Sequence, residues 1–168
     1  MNHYTHKESP EKRNVLFESA RIARGKIKAL KEFKAIDFDA VIFPGGFGVA
    51  KNLCSFAFDG ADCRVDAEIE NCIISMLKSQ KPIGAMCISP VILARIIGND
   101  VKLTIGNDVS TASAVKKMNA QHINAGHGEV VIDEKYKVVT TACYMLDASK
   151  MQIQEGTENL VKAVLDLC

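Results

Sequence analysis

The chain has 168 residues, 48% of them hydrophobic and 24% charged, which is enough for one domain (residues 1–168) with a core of its own. Its 21 basic and 20 acidic residues leave a net charge of +1, a balance without the electrostatic footprint of a nucleic-acid binder. No apolar stretch reaches membrane-spanning length and the opening MNHYTHKESPEKRN has no hydrophobic signal core, so the expectation is a cytoplasmic protein without a nucleic-acid or membrane partner.

The first predicted element is an amphipathic helix from about Pro10 to Arg24, with Ser9 as N-cap, Pro10 at the first helical position and Gly25 as the stop. The basic residues crowded into this region read as a solvated helix face. Asp39 to Phe43 is a short apolar strand that runs into Pro44-Gly45-Gly46-Phe47-Gly48, a turn suited to close backbone approach. Val65, Ile69, Cys72, Ile73, Met76 and Leu77 recur at helical spacing between Arg64 and Ser79. A strand over Pro82 to Met86 follows, then a corner at Cys87 and a helix to about Ile97, with Pro90 tolerated in its first turn.

Val101 to Ile105 predicts a further strand, and Gly106-Asn107-Asp108 turns the chain into a short helix that Asn119 caps in left-handed geometry. Val130 to Asp133 and Lys137 to Thr141 are two strands joined by Glu134-Lys135-Tyr136. The last helix spans Ser149 to Leu167, with Ile153, Leu160, Val161, Val164 and Leu165 as its apolar stripe and Gly156 as a weak point. Strands alternating with helices predict an α/β fold with a mostly parallel sheet covered on both faces, its chemistry at the carboxyl ends of the strands. Both the Pro44 to Gly48 loop and Cys87 fall at such ends.

The six cysteines are spread along the chain without a C-x-x-C pair, and together with the four histidines they offer no metal-ligand spacing, so neither disulfides nor a metal is expected. Cys72 and Cys143 read as core. Cys87 differs: a strand turning abruptly into a helix holds its corner residue in a strained, exposed conformation, and the small residues Ala85 and Ser89 two places to either side suit such a turn. The free amides and positive dipole end of the following helix favour a thiolate there. The alternative is a buried, inert thiol.

If Cys87 is a nucleophile, backbone amides of Gly45, Gly46 or Ile88 are placed to stabilise a developing oxyanion, which suits addition of sulfur to a carbonyl. PGGFG lacks the G-x-G-x-x-G spacing and the Walker lysine-serine pair, so it makes a poor phosphate cradle. The base is less legible. His127 and Glu129 share one face at H-x-E spacing, as the base and orienter of glutamine-hydrolysing enzymes do, but they sit in a Gly-rich turn where solvent exposure also explains them. His122 is a third candidate or a satisfied core histidine, and His3 and His6 look incidental.

The motifs PGGFGVAKNL (Pro44 to Leu53), KPIGAMCISP (Lys81 to Pro90), LTIGND (Leu103 to Asp108) and KVVTTACYML (Lys137 to Leu146) resemble the enhancing-lycopene-biosynthesis (ElbB) family, in the PfpI-like branch of the class I glutamine amidotransferase-like superfamily. The resemblance covers nearly the whole chain from near Asn2. It implies a flavodoxin-like three-layer sandwich, a nucleophile elbow at Cys87, a homodimer, and a cofactor-independent glyoxalase activity that converts glyoxal or a related small aldehyde to a hydroxy acid. Relatives begin with a strand, a Gly-rich loop, a helix and a second strand that this sequence lacks, so the resemblance also implies an N-terminally truncated fold, without the acidic residue that this segment supplies beside the cysteine. Met1 is then an internal start, or the missing elements are covered by a partner or a rearranged core. Two other functions follow from the same residues: a redox-responsive module in which Cys87 moves reversibly to sulfenic acid, and a glutaminase subunit that requires His127 and Glu129 as its base pair.

Overall fold

The computed structural model describes Tyr4 and residues 9–168, and the chain divides into two compact units, residues 1–33 and 34–168. In the first unit the helix α1 spans Val15–Ile22, later than expected. Asn14, not Ser9, caps it, its side chain accepting from the Phe17 amide at 3.2 Å. Ser9 instead accepts from Glu11 in a local turn, which holds the Ser9–Pro10 start signal outside the helix. His3 and His6 lie outside the described residues.

The second unit carries the sheet. Its elements, in chain order, are β1 (Val41–Phe43), α2 (Phe56–Asp59), α3 (Ala67–Lys78), β2 (Ile83–Met86), α4 (Pro90–Ile97), β3 (Lys102–Leu103), α5 (Val109–Lys117), β4 (Gln121–His122), β5 (Val130–Asp133), β6 (Val138–Thr141) and α6 (Lys150–Asp166). Four strands form one sheet in the order β1-β2-β6-β5. The β1–β2 and β2–β6 pairs are parallel, with Phe43 opposite Ala85 and Met86 opposite Thr141, while β5 and β6 form the antiparallel hairpin. With helices packed against this mostly parallel sheet, the fold is flavodoxin-like.

β2 is buried at every position, so both of its faces are covered. Gly84 and Met86 face α6, where a methyl group on Gly84 would meet Leu160 and Val164 at 3.0 Å; glycine lets the helix lie directly on the strand. Met86, Val139, Leu160 and Val164 form the cluster beneath. α6 begins with a capping box in which Ser149 and Gln152 satisfy each other's orphan groups. Its expected apolar stripe is narrower than the spacing suggested, because Val161 and Leu165 are exposed. Gly156 is no weak point: it is buried against Thr141, filling the position where a side chain would push helix from sheet.

β3 and β4 form a separate parallel pair. Side chains join this pair to the main sheet: the Lys102 amide donates to Asp133 at 2.8 Å and the Thr104 amide donates to the Thr140 hydroxyl at 2.9 Å. Asp108 caps α5, its side chain accepting from the Thr111 amide, and the helix ends before Asn119, whose φ of 61° is the left-handed cap expected. No described helix is long and apolar enough to cross a membrane.

Candidate active site at the Cys87 elbow

The chain leaves β2 at Met86 and enters α4 at Pro90, with only three residues to reverse direction. Cys87 absorbs the turn by adopting φ 59°, a left-handed conformation that costs a non-glycine residue about 1–3 kcal/mol and persists only where neighbours enforce it. Two hydrogen bonds do so: the Cys87 amide donates to the Thr141 carbonyl and the Ser89 amide donates to the Met86 carbonyl, both at 3.1 Å. Cys87 as a residue is partly exposed, unlike the buried Cys54, Cys63 and Cys72. Pro90 occupies the first turn of α4, where its missing N–H costs nothing. Among the described residues the Ser89 hydroxyl is buried without a hydrogen-bond partner.

The loop after β1 comes back over this corner. A methyl group on Gly45 would lie 2.8 Å from both Cys87 Cβ and the Met86 carbonyl, and 3.5 Å from Cys87 Sγ. Gly45 and Gly46 hold φ of 97° and 95°, so the turn needs glycine on conformational grounds as well as for space. Among the described residues the amides of Gly45, Gly46 and Ile88 have no hydrogen-bond partner, whereas the Cys87 amide is committed to Thr141. Phe47, at the tip, is exposed and carries the Lys51 ammonium 5.0 Å from its ring centre.

The candidate bases lie further away. Glu129 immediately precedes β5, which puts its main chain two strand spacings, about 10 Å, from Cys87 across β6. Its carboxylate accepts from the Gly126 amide at 2.6 Å and its carbonyl accepts from the Thr141 hydroxyl at 2.8 Å. His127 is exposed in the adjoining turn. His122 ends β4, half-buried, and its Nε2 accepts from the Ile105 amide at 3.4 Å. Burial, and then the charge of Lys116, hold its pKa below the ordinary value. No hydrogen bond among the described residues joins any of the three to Cys87.

One neighbour of the elbow escaped the sequence reading. Cys143 reads as core because it follows a β-branched strand, yet it is only partly buried and has φ 49°. It leads a short 3₁₀ turn, Cys143–Met145, just past the end of β6. Burial chiefly, and also the nearby Cys87, push its thiol pKa up, while the Tyr144 backbone opposes this. The remaining cysteines are of two kinds: Cys54, Cys63 and Cys72 are buried and Cys168 is exposed. No group of three or more potential ligands among the described residues could hold a metal ion.

No sequence-family model matches the chain. It is 46% identical over 166 residues to the mitochondrial ES1 protein homolog of Rattus norvegicus, and 43% identical over 166 residues to the mitochondrial glutamine amidotransferase-like class 1 domain-containing protein 3 of Homo sapiens. Each alignment takes in 94% of this chain but 62% of the relative, so the chain spans less than two thirds of those proteins' length. An isoprenoid biosynthesis protein with an amidotransferase-like domain from Ehrlichia chaffeensis superposes with a TM-score of 0.88 at 31% identity, over 99% of this chain and 76% of that one. The names of the rat and human relatives overturn the cytoplasmic expectation, since both are mitochondrial. Charge balance and hydropathy carry no address that distinguishes those two compartments.

Proposed function

We propose that this chain, which belongs to the class I glutamine amidotransferase-like superfamily, is a cofactor-independent enzyme of the glyoxalase type that converts glyoxal or a related small aldehyde to the hydroxy acid through Cys87. The observation that carries this reading is the packing of Gly45 against the Cys87 corner, so tight that an added methyl group would lie 2.8 Å from Cys87 Cβ, together with the amides of Gly45, Gly46 and Ile88, which have no hydrogen-bond partner among the described residues. A nucleophile next to such donors is suited to attack a carbonyl carbon and to stabilise the oxyanion that forms.

In this mechanism the Cys87 thiolate adds to one aldehyde carbon of glyoxal, and the carbonyl oxygen takes up negative charge opposite the free amides. After protonation this is a hemithioacetal. A base removes the proton from the sulfur-bearing carbon, and the neighbouring carbon is reprotonated, leaving a thioester of glycolate. Water cleaves the thioester and frees the thiolate. The net change is addition of one water to glyoxal, with no external oxidant or reductant. We assign the proton transfer to Glu129, which immediately precedes β5 and so lies at the same end of the main sheet as Cys87. The assembly we propose is a homodimer, and the location is mitochondrial, as it is for the rat and human relatives.

The test is glycolate formation from glyoxal by the native protein and by Cys87→Ala. Native turnover with none above background in the variant supports the reading; equal rates in both overturn it. A second reading, a non-catalytic redox-responsive module, is favoured by one observation, the presence of Cys143 beside Cys87.

A further inference from the structure

β2 and β6 are adjacent parallel strands, and Met86 is opposite Thr141 at their ends. Cys87 is the next residue on one strand, tied by its amide to the Thr141 carbonyl, and Cys143 lies two residues beyond Thr141 on the other. Continued past Met86 and Thr141, the register sets Cys87 opposite Ala142 and Cys143 one residue further along, on a strand about 4.8 Å away; two cysteines can be bridged at Cα separations of about 4.4–6.8 Å. Both residues leave the extended conformation at this point, with φ 59° and 49°, so neither side chain follows the alternation of its strand. Cys143 also packs against the cluster that contains Met86, the residue just before Cys87. Both residues are partly exposed, while Cys54, Cys63 and Cys72 are buried. The effect of Cys87 on the titration of Cys143 agrees with this placement.

We propose that Cys143 is the resolving thiol of Cys87, so that the two form a reversible peroxide-reactive pair at the mouth of the elbow. The substrate class is a hydroperoxide. The Cys87 thiolate attacks the distal peroxide oxygen and the O–O bond breaks; Cys87 becomes a sulfenic acid and the alkoxide or hydroxide leaves and takes up a proton. The Cys143 sulfur then attacks the sulfenic sulfur, its proton leaves with the hydroxyl as water, and a Cys87–Cys143 disulfide remains. A dithiol reductant gives two electrons and two protons to restore both thiols. The pairing protects Cys87 from irreversible oxidation to sulfinic acid, because the sulfenic acid is consumed before a second peroxide arrives. It rests on the redox-responsive reading and not on aldehyde turnover.

The experiment treats the native protein and Cys143→Ala with hydrogen peroxide in the presence of dimedone, which traps sulfenic acids, followed by non-reducing peptide mapping. The native protein is expected to give a peptide linked through Cys87 and Cys143 that dithiothreitol separates, and about tenfold less Cys87 dimedone adduct than the variant. Cys143→Ser repeats the comparison if the alanine variant does not fold, and a count of free thiols in the oxidised native protein, expected to fall by two from six, needs no variant. Equal dimedone adduct in native protein and variant, or a linked peptide that joins other cysteines, overturns the pairing. No oxidation of Cys87 overturns the redox reading with it. Glycolate formation by the reduced sample reports separately on the glyoxalase reading.

Discussion

Gly45 lies so close to Cys87 that a single added methyl group would stand 2.8 Å from the cysteine Cβ. The loop after β1 and the elbow after β2 are therefore one object, and neither keeps its shape if the other moves. Gly45→Ala adds this overlap to a φ of 97° that alanine resists. The expected result is a lower thermal midpoint and a fall in glyoxal turnover of at least about 100-fold, the scale of loss for an ångström-size misplacement of reacting groups. Far-UV circular dichroism separates misplacement from unfolding. Retained turnover would detach the loop from the site.

Asp133 is buried, and its two oxygens accept from the Lys102 amide at 2.8 Å and the Tyr136 amide at 3.0 Å. One carboxylate thus closes the β5–β6 turn and joins β3 to the main sheet. Asp133→Ala strands two backbone donors and is expected to lower the urea unfolding free energy by about 2–4 kcal/mol. Asn keeps one acceptor oxygen, so Asp133→Asn is expected to fall between native and alanine.

The pH dependence of stability has a definite sign at His122. Burial and Lys116 depress its folded pKa below the ordinary 6.5, so below that value the unfolded chain binds more protons than the folded one. The stabilisation is whole above the unfolded pKa and is lost as pH falls through the folded one; protonation also removes the lone pair that accepts from Ile105. Thermal midpoints measured from about pH 8 down to about pH 5 are expected to fall more steeply for the native protein than for His122→Gln. Parallel curves would exclude His122 as the source.

Thiol reactivity is expected to divide the cysteines sharply. Burial pushes Cys63 and Cys72 up to about 11, and it raises Cys54 as well. At neutral pH a maleimide is expected to label Cys87 and Cys168 first and these three only on unfolding, as peptide mapping against time will record. Early labelling of Cys72 would contradict its place on the inner face of α3.

The elbow was legible because a fully buried strand with small residues, a cysteine and a helix-starting proline occupy consecutive positions. The helix α3 was legible because Ile69, Cys72, Ile73 and Met76 hold to one period and are all buried. Other features depend on contacts that spacing does not encode. Val161 and Leu165 match the period of α6 but fall outside the narrow strip that β2 and β6 cover. The strand β4 is two residues long and is held by pairing with β3, so it leaves no alternation to read. Cys143 was hidden by its β-branched neighbours, since nothing in Val138 to Thr141 announces that the next turn re-aims a side chain. The bases stayed open because H-x-E spacing fixes a shared face and not a distance to sulfur.

The bond from the Cys87 amide to the Thr141 carbonyl joins the middle of the chain to a strand made much later. β5 and β6 are local partners that can pair as soon as their turn exists, but β2 must wait for β6. During synthesis the thiol at residue 87 therefore emerges well before its mooring does, and a nascent chain stalled short of residue 141 carries that sulfur on an unfinished scaffold. Order of emergence from the ribosome thus separates a bare, indiscriminate thiol from a shaped one.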